Sequence, residues 1–235
     1  HPAFGAEIHD GVLYGRGVLD DKGPTIGAIW ALKAIQDLGL KLDRRIRVLF
    51  GTDEENGSSC VHYYIENGGE LPTIGFTPDA DFPVINIEKG RLEAEFHAEF
   101  EGGLQIPGIV SFTSGDKANV VPQKARFVVA GLEESVLSDT AEQIGEELGG
   151  SFSIFAESEI STEEISADTP VFAVEVRGQA AHASTPQEGK NALTAALRLI
   201  SALPLAVDEG QQALDALNEL FPYEDTCGKA LGVYR

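Results

Sequence analysis

The pattern of apolar residues changes near residue 90, and this change limits the possible folds more than any other feature of the sequence. Before it, helix-like and strand-like segments alternate. The segment GPTIGAIWALKAIQDLG (23–39) has Pro24 in its first turn, Gly39 just past its end and apolar residues along one face, as expected for a helix. The alternation continues with a strand RIRVLF (45–50), a helix SSCVHYYIENGG (58–69) and a strand TIGFTPDA (73–80). Such alternation predicts an α/β layer with a largely parallel sheet.

Beyond residue 90 the sequence predicts an α+β region with an antiparallel sheet. The segment RLEAEFHAEF (91–100) alternates apolar and polar residues, which is typical of a half-exposed antiparallel strand. Two more strands are predicted at QKARFVVAGL (123–132) and PVFAVEVRGQA (170–180). Two helices are predicted at LEESVLSDTAEQIGEELGG (132–150) and GKNALTAALRLISALPL (189–205). We place the domain boundary near residue 97, so that residues 1–97 form one domain and residues 98–235 the other.

Composition excludes several classes of function. The net charge of −21 opposes binding to a phosphate backbone, which needs a basic surface. No apolar run reaches the roughly 18 residues that a membrane-spanning helix requires. Two distant cysteines, Cys60 and Cys227, provide neither a disulfide framework nor a metal knuckle. We therefore expect a cytoplasmic enzyme. Because the chain starts with HPAFGAEIHDG and contains no Met, we also expect it to be part of a longer protein.

Carboxylates accumulate where the predicted strands end. They form three clusters, which are Asp20 with Asp21, Asp53 with Glu54 and Glu55, and Asp79 with Asp81. Binding sites of parallel α/β sheets form outside the carboxyl ends of the strands. Crowded carboxylates repel one another unless a cation neutralises them or they share protons. Each cluster alone is compatible with a solvated turn or a helix N-terminus, but three at one sheet edge favour a metal site.

Four segments together resemble the M20 family of metallopeptidases. They are YGRGVLDDKGP (14–24), GTDEENGS (51–58), TPDADFPVINIEKG (77–90) and GQAAHASTPQEGKNA (178–192). Within the family they look like the bacterial dipeptidases of the dipeptidase V type, which are similar to carnosinases. The resemblance implies part of a zinc-binding α/β catalytic domain and part of an α+β lid domain with an antiparallel sheet. It also implies hydrolysis of dipeptides, without a nucleic-acid or membrane partner.

The resemblance assigns roles to the acidic residues. It makes Asp20 the carboxylate that bridges two zinc ions, with manganese or cobalt as alternative metals. It makes Glu55 a ligand of one ion, Asp79 a ligand of the other, and Glu54 the general base that takes a proton from the attacking water. In the family the peptide bond after the bridging aspartate is cis, so we expect a cis bond between Asp20 and Asp21. Asp53 is expected to be structural.

In the lid, the resemblance singles out His182 and Asn119. The histidine corresponds to a residue that reaches the catalytic cleft and stabilises the oxyanion, and the asparagine to one that contacts substrate. We expect His182 to be at least partly exposed, on a loop after the strand PVFAVEVRG. A turn residue is the alternative interpretation of Asn119. The other histidines match no ligand motif and are expected to be structural: His1, His9, His62 and His97.

Some residues of the family pattern have no counterpart in this chain. A His-x-Asp motif should precede residue 1, and a zinc-binding histidine and an arginine for the substrate carboxylate should follow residue 235. We therefore expect the chain alone to be inactive. The whole protein is expected to act on peptides as a monomer or a homodimer.

Other functions are compatible with the same residues. M20 deacylases and carboxypeptidases share the acids, although DDKGP and PDADFP favour the dipeptidases. A receiver domain also gathers acids around Mg²⁺, but it needs neither a glutamate pair before a helix nor a lid. A non-catalytic binding or dimerisation module built on the lid is the third alternative. Zinc analysis and dipeptide hydrolysis by the whole protein distinguish these possibilities.

Overall fold

A computed structural model gives the structure of the chain as two compact units. The first comprises His1–Gly90 and the second Arg91–Arg235, whereas the sequence places the boundary near residue 97. The structure describes residues 1–55, 57–79, 84–87, 94–150, 152–156, 165–166 and 168–233. Each unit is described by itself below.

The first unit begins with a β-hairpin. Strand β1 (Glu7–His9) pairs in antiparallel fashion with β2 (Val12–Tyr14). The two residues between them, Asp10 and Gly11, have φ angles of 51° and 80°. A type I′ turn requires positive φ at both central residues, and Asp-Gly is one of its preferred sequences. The local sequence therefore explains why the chain reverses here within two residues.

Two predicted helices of the first unit are confirmed. Helix α1 (Gly23–Asp37) begins with Pro24 in its first turn, and Gly39 follows its end with a φ of 60°. Helix α2 (Ser59–Glu66) is followed by Gly68, whose φ is 80°. In both cases a glycine adopts the left-handed conformation that ends helices and that other residues rarely adopt.

The predicted parallel sheet is wrong for the described part of the first unit. Residues 45–50 and 73–79 form no strand there, and β1 and β2 are the only paired strands among its described residues. A strand is stabilised by hydrogen bonds to a neighbouring strand, so an apolar pattern alone cannot form one. Leu49 and Phe76, on these segments, are 55% and 90% exposed.

No described residue of the first unit is buried. On α1, Ile26 and Trp30 are 51% and 62% exposed, although they belong to the apolar face predicted from the sequence. The helix therefore forms with its apolar side still in contact with solvent. Local signals such as the first-turn proline and the terminal glycine are sufficient to define its limits.

The second unit contains a four-stranded antiparallel sheet in the order β3-β4-β6-β5. Its strands are β3 (Gly108–Ser114), β4 (Lys124–Ala130), β5 (Phe152–Ala156) and β6 (Val171–Arg177). The sequence predicted β4 and β6 and missed β3 and β5. The strand predicted over residues 91–100 is wrong for 94–100, which are not paired, and its first residues lie outside the described part.

Helices cover this sheet and complete the core. They are α3 (Glu134–Leu148), α4 (Ala192–Ile200) and α5 (Glu209–Leu220), of which the first two were predicted. Helix α4 contacts α3, α5, β4 and β6, so it lies at the centre of the packing. Phe127, Leu137 and Leu199 are fully buried between these elements. Across the described part of the chain, no helix is both long and apolar enough to span a membrane.

Candidate functional site

The first acidic pair lies at the turn that leads into α1. The peptide bond between Asp20 and Asp21 is cis, as predicted. Oδ2 of Asp21 accepts a hydrogen bond from Thr25 Oγ1 over 3.3 Å. Its other carboxylate oxygen, Oδ1, is buried and has no hydrogen-bond partner among the described residues. A buried oxygen without a donor is costly, and this one is available to a ligand.

Asp53 organises the loop that carries the second acidic cluster. Its Oδ2 accepts hydrogen bonds from the backbone N–H of Ser59, over 3.3 Å, and from the Ser59 hydroxyl. Its backbone carbonyl accepts from Ser58 N–H over 2.7 Å. Asp53 thus satisfies a donor at the start of α2, a role that an N-cap side chain normally has. Glu54 and Glu55 remain exposed on the loop between these contacts.

Asp79 shows that the acids gather at one place. Its pKa is raised, first by partial burial and then by the negative charges of Asp21, Asp20, Glu54 and Glu55. Because like charges raise a carboxyl pKa only at short range, these four groups lie near Asp79. No three of the described carboxylates at this place have oxygens within 4.8 Å of one another. The acids therefore form a cluster that is wider than a closed coordination sphere.

The chemistry of this cluster fits a divalent cation. The four charges that contribute most to the raised pKa of Asp79 are all negative. The positive charge nearest to the first acidic pair in the chain is that of Lys22. Its ammonium group donates a hydrogen bond to the carbonyl oxygen of Arg16, 2.9 Å away. Among the described residues, the atoms of the cluster that could bind a metal are all hard carboxylate oxygens. They include the buried Oδ1 of Asp21, which has no hydrogen-bond partner in this part of the chain. A cation would neutralise the repulsion and satisfy that oxygen.

In the second unit, backbone hydrogen bonds join the segments of Asn119 and His182. Ala183 N–H donates to the Asn119 carbonyl, and Val121 N–H donates to the Ala181 carbonyl, both over 2.9 Å. These two bonds form a small antiparallel bridge between positions 120 and 182. The sequence proposed Asn119 and His182 for substrate contact, although they are 63 positions apart in the chain (119 to 182). The bridge makes them neighbours in the fold.

Gly178 permits the loop that carries His182 to close on itself. Gln179 and Lys190 exchange two backbone hydrogen bonds of 2.9 Å, which join the two ends of the loop. A Cβ atom at Gly178 would overlap the Lys190 carbonyl oxygen. Any larger residue at this position would therefore force the ends of the loop apart.

The ring of His182 is exposed but held by its neighbours. Its Nδ1 accepts a hydrogen bond from the backbone N–H of Ser184 over 3.2 Å and lies 2.7 Å from the Ser184 hydroxyl. The His182 carbonyl accepts from Thr185 N–H over 2.9 Å, which closes a turn. Because Nδ1 is an acceptor, the proton of the neutral imidazole is on Nε2. The exposed position on a loop after β6 confirms the prediction made for this residue.

Sequence reasoning gave two of these residues no specific role. Asp21 was part of an acidic cluster, but nothing singled out its buried oxygen. Ser184 was missed, although its position two residues after a histidine is a recognisable signal for a local contact of this kind. Asp81, which the sequence grouped with Asp79, lies outside the described residues.

Comparison with known proteins identifies the family. The profile of peptidase family M20/M25/M40 matches residues 2–216, and the chain belongs to this family. It is 35% identical over 232 residues to the protein named "Putative dipeptidase YtjP" of Bacillus subtilis (strain 168). It is 30% identical over 242 aligned positions to "Putative dipeptidase SAB1611c" of Staphylococcus aureus (strain bovine RF122 / ET3-1). Both alignments cover 98% of this chain and 47% of the relative, so the chain spans about half the length of these relatives.

Proposed function

We propose that the whole protein hydrolyses dipeptides with the help of divalent metal ions held by the acidic cluster. The observation that carries this proposal is the match of residues 2–216 to peptidase family M20/M25/M40. The raised pKa of Asp79, caused first by partial burial and then by the charges of neighbouring carboxylates, supports a cation at the acidic cluster. Membership of a peptidase family and similarity to relatives named as dipeptidases support the reaction and the substrate class. Zinc is our preferred metal, and manganese and cobalt are the alternatives to test.

Asp20, Glu55 and Asp79 are the proposed metal ligands. When bound, the metal would act as a Lewis acid that polarises the scissile carbonyl and acidifies a water molecule. A half-buried carboxyl such as Asp79, already disfavoured in its charged form by its neighbours, gains from a nearby cation. Asp21 is a further candidate ligand, because its buried Oδ1 has no partner among the described residues.

Glu54 is the proposed general base. It is exposed, and the hydrogen bonds of Asp53 to Ser58 and Ser59 fix the loop on which it lies. In the proposed reaction it accepts a proton from the attacking water and then delivers it to the nitrogen of the departing amine. A positioned carboxylate in this role typically contributes about 10²- to 10⁴-fold to the rate.

His182 is the proposed donor to the oxyanion that forms when water attacks the peptide carbonyl. The acceptor role of its Nδ1 leaves the proton on Nε2, which has no hydrogen-bond partner in the described part of the chain. Asn119, joined to the same loop by the hydrogen bond from Ala183, is the proposed contact to substrate.

The test uses the whole protein with a panel of substrates. After removal of metal by a chelator, zinc, manganese or cobalt is added back, and hydrolysis of dipeptides, tripeptides and N-acetylated amino acids is compared. We expect metal-dependent activity with a preference for dipeptides. Preferred hydrolysis of the acetylated compounds would identify a deacylase, and activity that survives complete metal removal would refute the metal mechanism.

Two matched variants separate metal binding from proton transfer. Glu54→Gln should lower kcat by about 10²- to 10⁴-fold with the metal content unchanged. Glu55→Gln should lower the metal content and the activity together. Glu66→Gln, at the exposed end of α2, removes the same charge outside the cluster and should change neither property. If Glu54→Gln retained normal kcat, another residue would have to be the base.

A further inference from the structure

A second group of potential metal ligands lies on the hairpin β1–β2, outside the acidic cluster. Nδ1 of His1 is 2.8 Å from Oε2 of Glu7, and Nε2 of His9 is 3.1 Å from the same oxygen. In the described part of the chain, this is the only set of three histidine, cysteine or carboxylate groups whose ligand atoms all lie within 4.8 Å of one another.

The hairpin itself explains why these side chains meet. Glu7 and His9 are two residues apart on β1, so they project from the same face of the strand. Tyr14 lies directly opposite Glu7 in the register of the hairpin. Its ring stacks on the ring of His1 at a centroid distance of 4.0 Å and meets the ring of His9 at 5.9 Å. Backbone and ring contacts thus fix two ligands and orient the third.

The main chain also returns His1 to this face. Gly5 N–H donates to the Pro2 carbonyl over 3.1 Å, and Arg16 N–H donates to the Ala3 carbonyl. The first residues therefore fold back against the end of β2. These two backbone hydrogen bonds do not involve the His1 ring, which is oriented by its contacts with Glu7 and Tyr14.

The distances are compatible with a bound transition metal. Zinc binds imidazole nitrogen and carboxylate oxygen at about 2.0 to 2.2 Å, which places tetrahedral ligands about 3.4 Å apart. The observed separations of 2.8 and 3.1 Å need only a few tenths of an ångström of widening. The side chains of His1, Glu7 and His9 are 43%, 38% and 53% exposed, so they have room for this movement.

We propose that His1, Glu7 and His9 form a zinc-binding site on the hairpin, separate from the proposed catalytic acids. Two imidazoles and one carboxylate are a donor set that zinc accepts, with the fourth position open to water. A metal at this place would fasten residues 1–5 to the hairpin. The site does not depend on the proposed peptidase function, because none of its ligands has a role in that reaction.

The test titrates zinc into a chain in which Asp20→Asn and Asp79→Asn disable the acidic cluster. The amino terminus is blocked, so that an α-amino group next to the His1 imidazole cannot serve as a ligand. Long-range ¹H–¹⁵N spectra follow the imidazole signals individually. We expect the signals of His1 and His9 to change and to saturate at one equivalent of zinc.

His97 serves as the internal control, because it also pairs with a glutamate but has only that one partner of this kind among the described residues. Its Nε2 is 3.0 Å from Oε1 of Glu95. Its signals should not saturate together with those of the hairpin. Glu7→Gln and His9→Gln should each abolish saturation at one equivalent, while unchanged amide signals of Ile8 and Leu13 show that the hairpin still forms.

Two results would overturn the proposal. The first is a response of His1 and His9 that is no stronger than that of His97, which would leave the triad as an ordinary hydrogen-bonded group. The second is saturation that persists in Glu7→Gln, which would show binding by the histidines without the carboxylate. Loss of catalytic activity in the whole protein has no bearing on either result.

Discussion

The contact between Ser184 and His182 leads to a graded prediction for catalysis. His182→Ala removes the proposed oxyanion donor and should lower kcat of the whole protein by about 10²- to 10³-fold, the usual cost of losing one such donor. Metal content should be unchanged, because His182 is not a proposed ligand. KM should change much less than kcat, since the contact is made mainly in the transition state.

Ser184→Ala should have a much smaller effect, and its size follows from the geometry. The substitution removes the hydroxyl 2.7 Å from Nδ1 but leaves the backbone donor at 3.2 Å. A neutral hydrogen bond contributes about 0.5 to 1.5 kcal/mol. The preference for a proton on Nε2 therefore falls by about two- to tenfold, and kcat should fall by no more than that.

The assay combines steady-state kinetics with ¹⁵N spectra of the His182 imidazole, which distinguish a proton on Nδ1 from one on Nε2. Ser184→Thr retains the hydroxyl and should restore both the protonation pattern and kcat. Three outcomes would refute the reasoning. They are a normal kcat in His182→Ala, loss of metal in that variant, and a loss in Ser184→Ala as large as that in His182→Ala.

Of three further predictions, two concern the parts that support the candidate site and the third concerns a turn at Asp225. Asp53→Ala should speed amide exchange at the start of α2 and lower kcat/KM. Asp53→Asn keeps an acceptor oxygen and should change both quantities less. Equal changes in the two variants would exclude the capping role. Gly178→Ala should displace the His182 loop and reduce activity. Gly150→Ala is the control, because its added methyl meets no atom within 4 Å, and it should change neither the loop nor the activity. Hydrogen bonds, first that from Ala230 N–H, lower the pKa of Asp225 from 3.8 to about 2. A carboxyl whose pKa is lower in the folded than in the unfolded state stabilises the fold at pH values above its unfolded-state pKa. Protection of the Ala230 amide against exchange should therefore fall as the pH drops from 4 towards 2. In Asp225→Asn, protection of the Ala230 amide should be low and independent of pH. A similar decline in that variant would show that another group causes the pH dependence.

Local signals in the sequence predicted helices α1 to α4, whereas α5 was missed. Pro24 and Gly39 mark the limits of α1, and the residues that follow α2 end it with a left-handed glycine, as the sequence indicated. The strands β4 and β6 were predicted because both are apolar and lie at the centre of the sheet. These features depend on residues close together in the chain, which sequence patterns report directly.

Features that depend on distant partners could not be predicted in the same way. Residues 45–50 have the composition of a strand, but hydrogen bonding to a neighbour decides whether a strand forms. Strand β3 contains Gly108, Ser111 and Ser114 and has no clear alternation, so its pairing with β4 was not evident. The buried oxygen of Asp21 is likewise a property of the folded chain.

The contrast between a first unit without buried residues and a second unit with a packed core has a calorimetric consequence. The heat capacity change of unfolding comes mainly from apolar surface that becomes hydrated. All buried residues in the described part of the chain lie at position 108 or later. A melting curve of this chain will therefore record the unfolding of the second unit. Substitutions around Asp20, Glu55 and Asp79 can leave the midpoint unchanged even where they disturb the acids, so a normal midpoint is no proof of an intact site.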